Sequence, residues 1–276
     1  MLARLADARA LAATPGGLLA VADAGEGRVR LFGPDGTPRG VLGGTGREGE
    51  ALLEPSAIDL TNGLDVFVAD AAGGRVLRFT AEGALAETIH LETGVPWRTP
   101  VPEAPVARPV GVAAGPGGVL FVAEAARRGV RRLDRARRVE AVVGGDEAGE
   151  AALQRPVALA LGPGGALFVA DAGRGAVLRF DALGQPAGVL ALPGALRSLA
   201  MDRAGGRLLV TTTDAVSGFA LGDAAADPHR AATPAFRVTP ALGEPLVGAA
   251  LVAERLLVLT PSRLVDLGPL PAAPAP

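Results

Sequence analysis

LFVADAGRGAVLRFD, residues 167–181, poses a choice between a catalytic acid and a repeated structural unit. Asp171 ends an apolar run and precedes a glycine-bracketed turn that carries Arg174. At 66–80 the chain already reads VFVADAAGGRVLRFT, at 18–32 LLAVADAGEGRVRLF, and at 120–133 LFVAEAARRGVRRL. The terminal acids are Asp23, Asp70, Glu124 and Asp171, spaced 47, 54 and 47 residues apart. Two copies without the acid follow, RLLVTTTDAVSGFAL (207–221) and RLLVLTPSRLVDL (255–267), with Thr212, Thr213 and Thr260 nearby. Acids a whole repeat apart cannot converge on one substrate atom. The four are therefore read as structural turn acids, each accepting hydrogen bonds from turn N–H groups.

Every copy has the same internal plan. An apolar strand comes first, as in ARALAA (8–13), VGVAA (110–114) and VALAL (157–161), followed by a glycine turn such as TPGG or GPGG. Glycine takes the positive-φ positions of such turns, so these are hairpin signals. A nearly all-apolar second strand, a mixed Arg/Val/Phe third strand and a fourth segment such as PRGVLGG complete the unit. Short antiparallel strands at this period describe propeller blades, whereas helical solenoids need amphipathic helices that the chain lacks. The expected fold is all-β, a six-bladed β-propeller of four-stranded antiparallel blades over 1–268, with a Pro/Ala-rich tail over 269–276. The last copy runs into GPLPAAPAP, whose prolines are poor ladder donors. Its missing fourth strand is expected from the N-terminus, LARL at 2–5, which closes the ring and puts Met1 near the domain start.

The unit VFVADAAGGRVLRFTAEG resembles the NHL repeat, with its strand, Asp, small-residue turn, Arg, and aromatic before an acid and glycine. The stretches at 42–60 (LGGTGREGEALLEPSAIDL) and 143–171 resemble the family's inter-blade pattern, including Pro156. The likeness covers residues 8–195 best, and it implies the fold much more firmly than a function.

Composition narrows the chemistry. Net charge is −2, and all 27 basic residues are Arg; Cys and Tyr are absent, Asn62 is the only Asn, and Gln154 and Gln185 are the only Gln. A GC-rich genome explains that bias more simply than a thermophile's shedding of labile side chains. Without Cys there are no disulfides, thiolate sites or thiol nucleophiles. No apolar run reaches the roughly 18 residues that span a bilayer, so no membrane insertion is expected. The sequence leaves compartment and oligomeric state open.

Enzyme readings find little support. Propeller hydrolases resembling gluconolactonases or paraoxonases hold a channel cation with Glu, Asn and Asp. Asp59 and Asp202 are the acids available on first strands, and Asn62 falls in a turn, so that ligand set is incomplete. Propeller lyases use histidines, and neither His90 nor His229 sits in a motif with ligand spacing. GTGREG (44–49) matches a dinucleotide loop formally but lies between blades of an all-β repeat, without the strand and helix such a loop needs. No catalytic residue, metal or cofactor is assigned.

Two features point to a partner instead. RRGVRRLDRARR (127–138) places seven Arg in twelve residues on blade three. Arginine grips carboxylate or phosphate in bidentate fashion, but the stretch has no aromatic to stack a base, which argues against nucleic acid. The loop 92–109, ETGVPWRTPVPEAPVARP, carries the only Trp. Trp97, Arg98, Arg108, Arg127 and Arg128 are therefore the candidate partner-binding residues, on the face shared by inter-blade loops and second-to-third-strand turns. A second long connection, 221–245, with His229, Arg230 and Phe236, is expected as another loop on that face. The reading is a non-catalytic scaffold for protein–protein interaction; a metal-dependent hydrolase or lyase is the alternative.

Overall fold

The computed structural model describes residues 1–44, 49–60, 63–91, 107–125, 127–202, 206–221 and 233–270. It contains six separate four-stranded antiparallel sheets. Blade one is β2–β5 (Ala8–Ala13, Leu19–Asp23, Arg28–Phe32, Pro38–Gly43), and blade two is β6–β9 (Pro55–Asp59, Asp65–Asp70, Arg75–Thr80, Leu85–His90). Blade three is β10–β13 (Pro109–Ala114, Leu120–Glu124, Val130–Leu133, Val139–Val143). Blade four is β14–β17 (Pro156–Leu161, Leu167–Asp171, Ala176–Phe180, Pro186–Ala191). Blade five is β18–β21 (Leu196–Asp202, Arg207–Thr212, Val216–Ala220, Phe236–Val238). Blade six is β22–β24 (Gly248–Val252, Arg255–Leu259, Arg263–Pro269), completed by β1 (Ala3–Arg4) from the other end of the chain.

Closure by the N-terminal strand follows from the register. Ala3 lies opposite Leu264 and Arg4 opposite Arg263, and the N–H groups of Leu2 and Leu5 donate to the carbonyls of Leu264 and Ser262 at 2.8 Å each. Leu2, Ala3 and Leu5 then pack with Val252, Leu257, Leu259 and Leu264.

The apolar residues do not form one central core. They form six clusters, each between two neighbouring blades, with Phe180 in the cluster of blades three and four and Phe79 in that of blades one and two. This explains why second strands such as Leu167–Asp171 are apolar on both faces: each is covered by a blade on either side and is buried at every residue. Among the described residues the cluster between blades five and six is the smallest, with Val216, Leu246, Ala249, Leu256 and Val258 fully buried.

Local chemistry sets the strand ends. Gly164 and Gly165 in the turn after β14 have φ of 67° and 79°, values that only glycine adopts without strain. A bulge interrupts the start of the first strand in blades one to five, at Pro55, Pro109 and Pro156 in three of them. Proline is tolerated there because the bulged position needs no ladder donor.

One connection differs from its expectation. Residues 221–245 are not a single inter-blade loop, because β21 lies within them and pairs with β20 (Val216↔Val238). β20 and β21 are the third and fourth strands of blade five, and residues 222–232 fall outside the described residues. Phe236 belongs to a strand and packs into the cluster between blades five and six. The alternation of Phe236, Arg237 and Val238 is too short a period-two signal to separate from a proline-flanked loop.

Candidate functional site

The terminal acids do more than cap their own turns. Asp23 accepts hydrogen bonds from the N–H groups of Ala6 (3.0 Å) and Asp7 (2.9 Å). Asp70 accepts from Leu53 (3.0 Å) and Glu54 (2.8 Å), and Arg75 donates to its other oxygen at 3.1 Å. Asp171 accepts from Gln154 (2.6 Å) and Arg155 (2.9 Å), and also from Gly173 (2.9 Å) and Arg174 (3.2 Å) in its own turn. In all three blades the donors stand 17 and 16 residues upstream, in the link arriving from the previous blade. Each carboxylate is fully buried, so it ties a blade to the link that precedes it through charge-assisted bonds. Asp171→Asn keeps the shape but turns an amide N–H toward backbone donors, and is expected to cost about 2 kcal/mol. Urea unfolding followed by far-UV circular dichroism measures that loss.

Blades five and six solve the same problem otherwise. Thr212 Oγ accepts the Ala215 N–H at 3.2 Å and donates to Asp214 at 2.7 Å. In blade six the polarity is reversed: the link supplies the acid, Glu244, and the turn supplies donors, Ser262 Oγ at 2.8 Å and Arg263 at 3.1 Å. The bond from Ser262 is the main reason the Glu244 carboxyl lies below the usual glutamate range.

Blade three departs from every other blade. Glu124 has one more methylene than aspartate, and its carboxylate meets Arg131 at 2.5 Å and Arg127 at 3.4 Å. Glu124 is 1% exposed and Arg131 6%. Arg131 stands opposite Val122, at the register where blades two and four carry Leu77 and Leu178. Blade one has Arg30 there, but that side chain is only partly buried and donates to the Arg4 carbonyl at 2.6 Å. An Asp-plus-Leu arrangement is thus replaced by a buried Glu–Arg pair. Burial pushes the Glu124 carboxyl above the ordinary 4.5, against the pull of Arg131 and Arg127, and burial also lowers Arg131.

The sign of the pH effect follows. Above 4.5 the unfolded chain releases this proton while the folded chain keeps it, so the group's contribution to stability is present below 4.5 and lost as pH rises through the folded value. Glu124→Gln removes that component. The difference in stability between Glu124→Gln and wild type is expected to shift in favour of the variant from acid toward neutral pH, read as urea midpoints at a series of pH values.

The other arginines of the 127–138 stretch are dispersed. Arg137 reaches into blade two and grips both oxygens of Glu87 at 2.9 Å, which holds the Glu87 carboxyl below its usual range. Arg132 pairs with Glu140 at 3.2 Å and Arg138 with Asp134 at 2.9 Å. The turn 134–138 lies on the face opposite Arg127 and Arg128, so the stretch is not one basic stripe. Arg128 is exposed and forms no ion pair among the described residues.

Arg127, Arg128, Arg131, Val142, Gly145 and Asp146 line a recess of about 410 Å³ between the second-to-third-strand turn of blade three and its link to blade four. That volume lies within the range of ligand pockets, roughly 300–1,000 Å³. Arg127 and Arg128 are thus brought together. Arg108 is not part of the lining; its guanidinium sits on Glu54 at 2.6 Å, tying two links to each other. Trp97, Arg98, Asn62 and His229 fall outside the described residues. The sequence reading missed Arg131, Val142 and Asp146 as members of this site. The available signal was the simultaneous change of Asp to Glu and Leu to Arg at two aligned positions.

The central channel is narrower and mostly apolar, with about 60 Å³ of open space lined by first-strand residues such as Leu11, Val112, Leu159 and Leu199. Its two acids are engaged with protein. Asp59 accepts the Ala114 N–H at 2.5 Å, and Asp202 lies 3.8 Å from Arg207, which also meets Glu254. Asp59 pairs with Phe67 at the register where blade five has Ala200, two residues short of Asp202. The two acids therefore sit on non-adjacent blades and at different depths. Among the described residues no group of three or more His, Cys, Asp or Glu is suited to a metal ion, so the described channel residues do not by themselves supply the ligand set of the lactonase-like reading. His90 is exposed on the outermost strand of blade two. Among the described residues no helix is long and apolar enough to cross a membrane.

No family model and no curated protein sequence matches the chain. Solved structures do match its fold. A catalytically inactive His-to-Ala virginiamycin B lyase from Staphylococcus aureus, with quinupristin, is similar with a TM-score of 0.59 at 12% identity, covering 95% of this chain and 84% of that one. A streptogramin B lyase structure gives a TM-score of 0.62 at 10% identity, covering 97% and 84%. At these identities the likeness establishes a common propeller architecture and leaves the chemistry to the residues.

Proposed function

We propose that this protein is a non-catalytic, NHL-type propeller scaffold that binds a protein partner on its link face at blade three. The observation that carries the reading is the arginine-lined recess beside the buried Glu124–Arg131 pair, at the blade that exchanges the aspartate fastening for a buried ion pair. A buried ion pair in place of Asp and Leu is a poor route to stability, which favours retention for another reason. The chemistry of the channel points the same way. A histidine is required in the similar lyase, whereas His90 here is remote from the channel, and Asp59 and Asp202 are engaged with the backbone and with Arg207.

The test is capture of partners on the immobilised native protein and on Trp97→Ala/Arg127→Ala/Arg128→Ala, with bound proteins identified by mass spectrometry. A specific partner kept by wild type and lost by the triple variant supports the reading. Unchanged capture puts the partner elsewhere on the ring. The lyase alternative is checked separately by incubation with quinupristin: turnover by the wild-type chain would overturn the non-catalytic assignment.

A further inference from the structure

We propose that the blade-three recess is a carboxylate-recognition site, which takes an acidic side chain of an extended segment of the protein partner. The inference rests on the scaffold reading and adds the chemistry of what is recognised.

Charge decides the class of ligand. Arg127, Arg128 and Arg131 border the recess, against the carboxylates of Asp146 in its lining and Glu124 behind Arg131. Three cations against two anions leave a single positive charge, which matches one carboxylate. A phosphate dianion would face two carboxylates with only that one charge in surplus. A nucleic-acid strand would need the basic residues to run along one face, and Arg132, Arg137 and Arg138 of the stretch are held by Glu140, Glu87 and Asp134.

Geometry supplies the grip. The guanidinium fork matches a carboxylate bidentately, and it binds best when already fixed in place. Glu124 fixes Arg131 at 2.5 Å and steadies Arg127 at 3.4 Å, while Arg128 stays exposed to meet the incoming group. Glu124 is thus a positioning residue. Val142, 57% exposed on the edge strand β13, offers an apolar wall for the methylenes of a glutamate or aspartate. Gly145 leaves the approach open for a peptide backbone.

Fluorescence anisotropy with a fluorescein-labelled hexaglutamate peptide at low ionic strength tests the site, with hexaglutamine as the neutral probe. Both charge-neutralising positions are at the surface, so Arg127→Gln/Arg128→Gln is expected to fold, checked by far-UV circular dichroism. The double variant should weaken hexaglutamate binding by about tenfold or more, and Arg197→Gln on blade five should leave it unchanged. Equal binding by the double variant and wild type would overturn the site. So would absence of binding to wild type, or tighter binding of inorganic phosphate or a single-stranded RNA than of the peptide. In each of those cases the partner-capture experiment still reports on the scaffold reading by itself.

Discussion

Deleting residues 1–6 is expected to lower the thermal midpoint by roughly 15 °C and to broaden the unfolding transition. The deletion removes the fourth strand of blade six and, with it, Leu2, Ala3 and Leu5 from the cluster that joins blades six and one. Burial of those side chains and the two strand hydrogen bonds together contribute about 5 kcal/mol. A domain's whole stability is only about 5–15 kcal/mol, so this is a large share of it. Asp23 would also lose the Ala6 donor that fastens blade one. The freshly exposed edge of β24 would present unpaired backbone groups to other molecules, so aggregation should accompany the loss. Differential scanning calorimetry and light scattering measure both effects. Leu2→Ala/Leu5→Ala, which keeps the strand and removes only the apolar contacts, should give a smaller shift of the same sign. An unchanged midpoint on deletion would mean that the ring does not depend on this closure.

Arg131→Leu is expected to cost about 3–5 kcal/mol, because it leaves Glu124 buried with only the more distant Arg127 as partner. Leucine itself suits the position, since Leu77 and Leu178 occupy it in blades two and four. Adding Glu124→Asp should therefore rescue the variant. The shorter acid can take up the N–H groups of Ala107 and Arg108, the residues 17 and 16 positions upstream. The double variant should come within about 1 kcal/mol of wild type or exceed it, giving a coupling of at least about 2 kcal/mol. Urea midpoints of wild type, both single variants and the double variant complete the cycle. A double variant no more stable than Arg131→Leu would show that Glu124 is not what makes the single change costly.

The ring was legible because its signals are local and repeated. Strand, turn glycine, acid and arginine recur at fixed offsets, and one copy alone would have been ambiguous. Even closure could be read, since a final copy that runs into prolines after its third strand needs a strand from elsewhere. The partners of the acids were not legible. Asp171 reaches Gln154 and Arg155 only because the bulge at Pro156 brings the link beside the end of β15, and sequence spacing does not reveal a bulge. The recess was half legible. Arg127 and Arg128 stood out by composition, while Arg131 joins them only through the pairing of β11 with β12, and Asp146 only through the fold of the following link.

The way the ring closes also orients the molecule. β1 and β24 run antiparallel in the same blade, so the chain enters β1 and leaves β24 at the same side of the disc. That side carries the first-to-second-strand turns, whereas the recess at Arg127 and Arg128 opens on the other. Whatever is joined to either end of the propeller, a tether, a surface or a second module, therefore leaves from the back of the plate and holds the recess facing outward. Pulling on both ends at once would open β1 from β24 one bond at a time, like a zipper, rather than shear all of their bonds together.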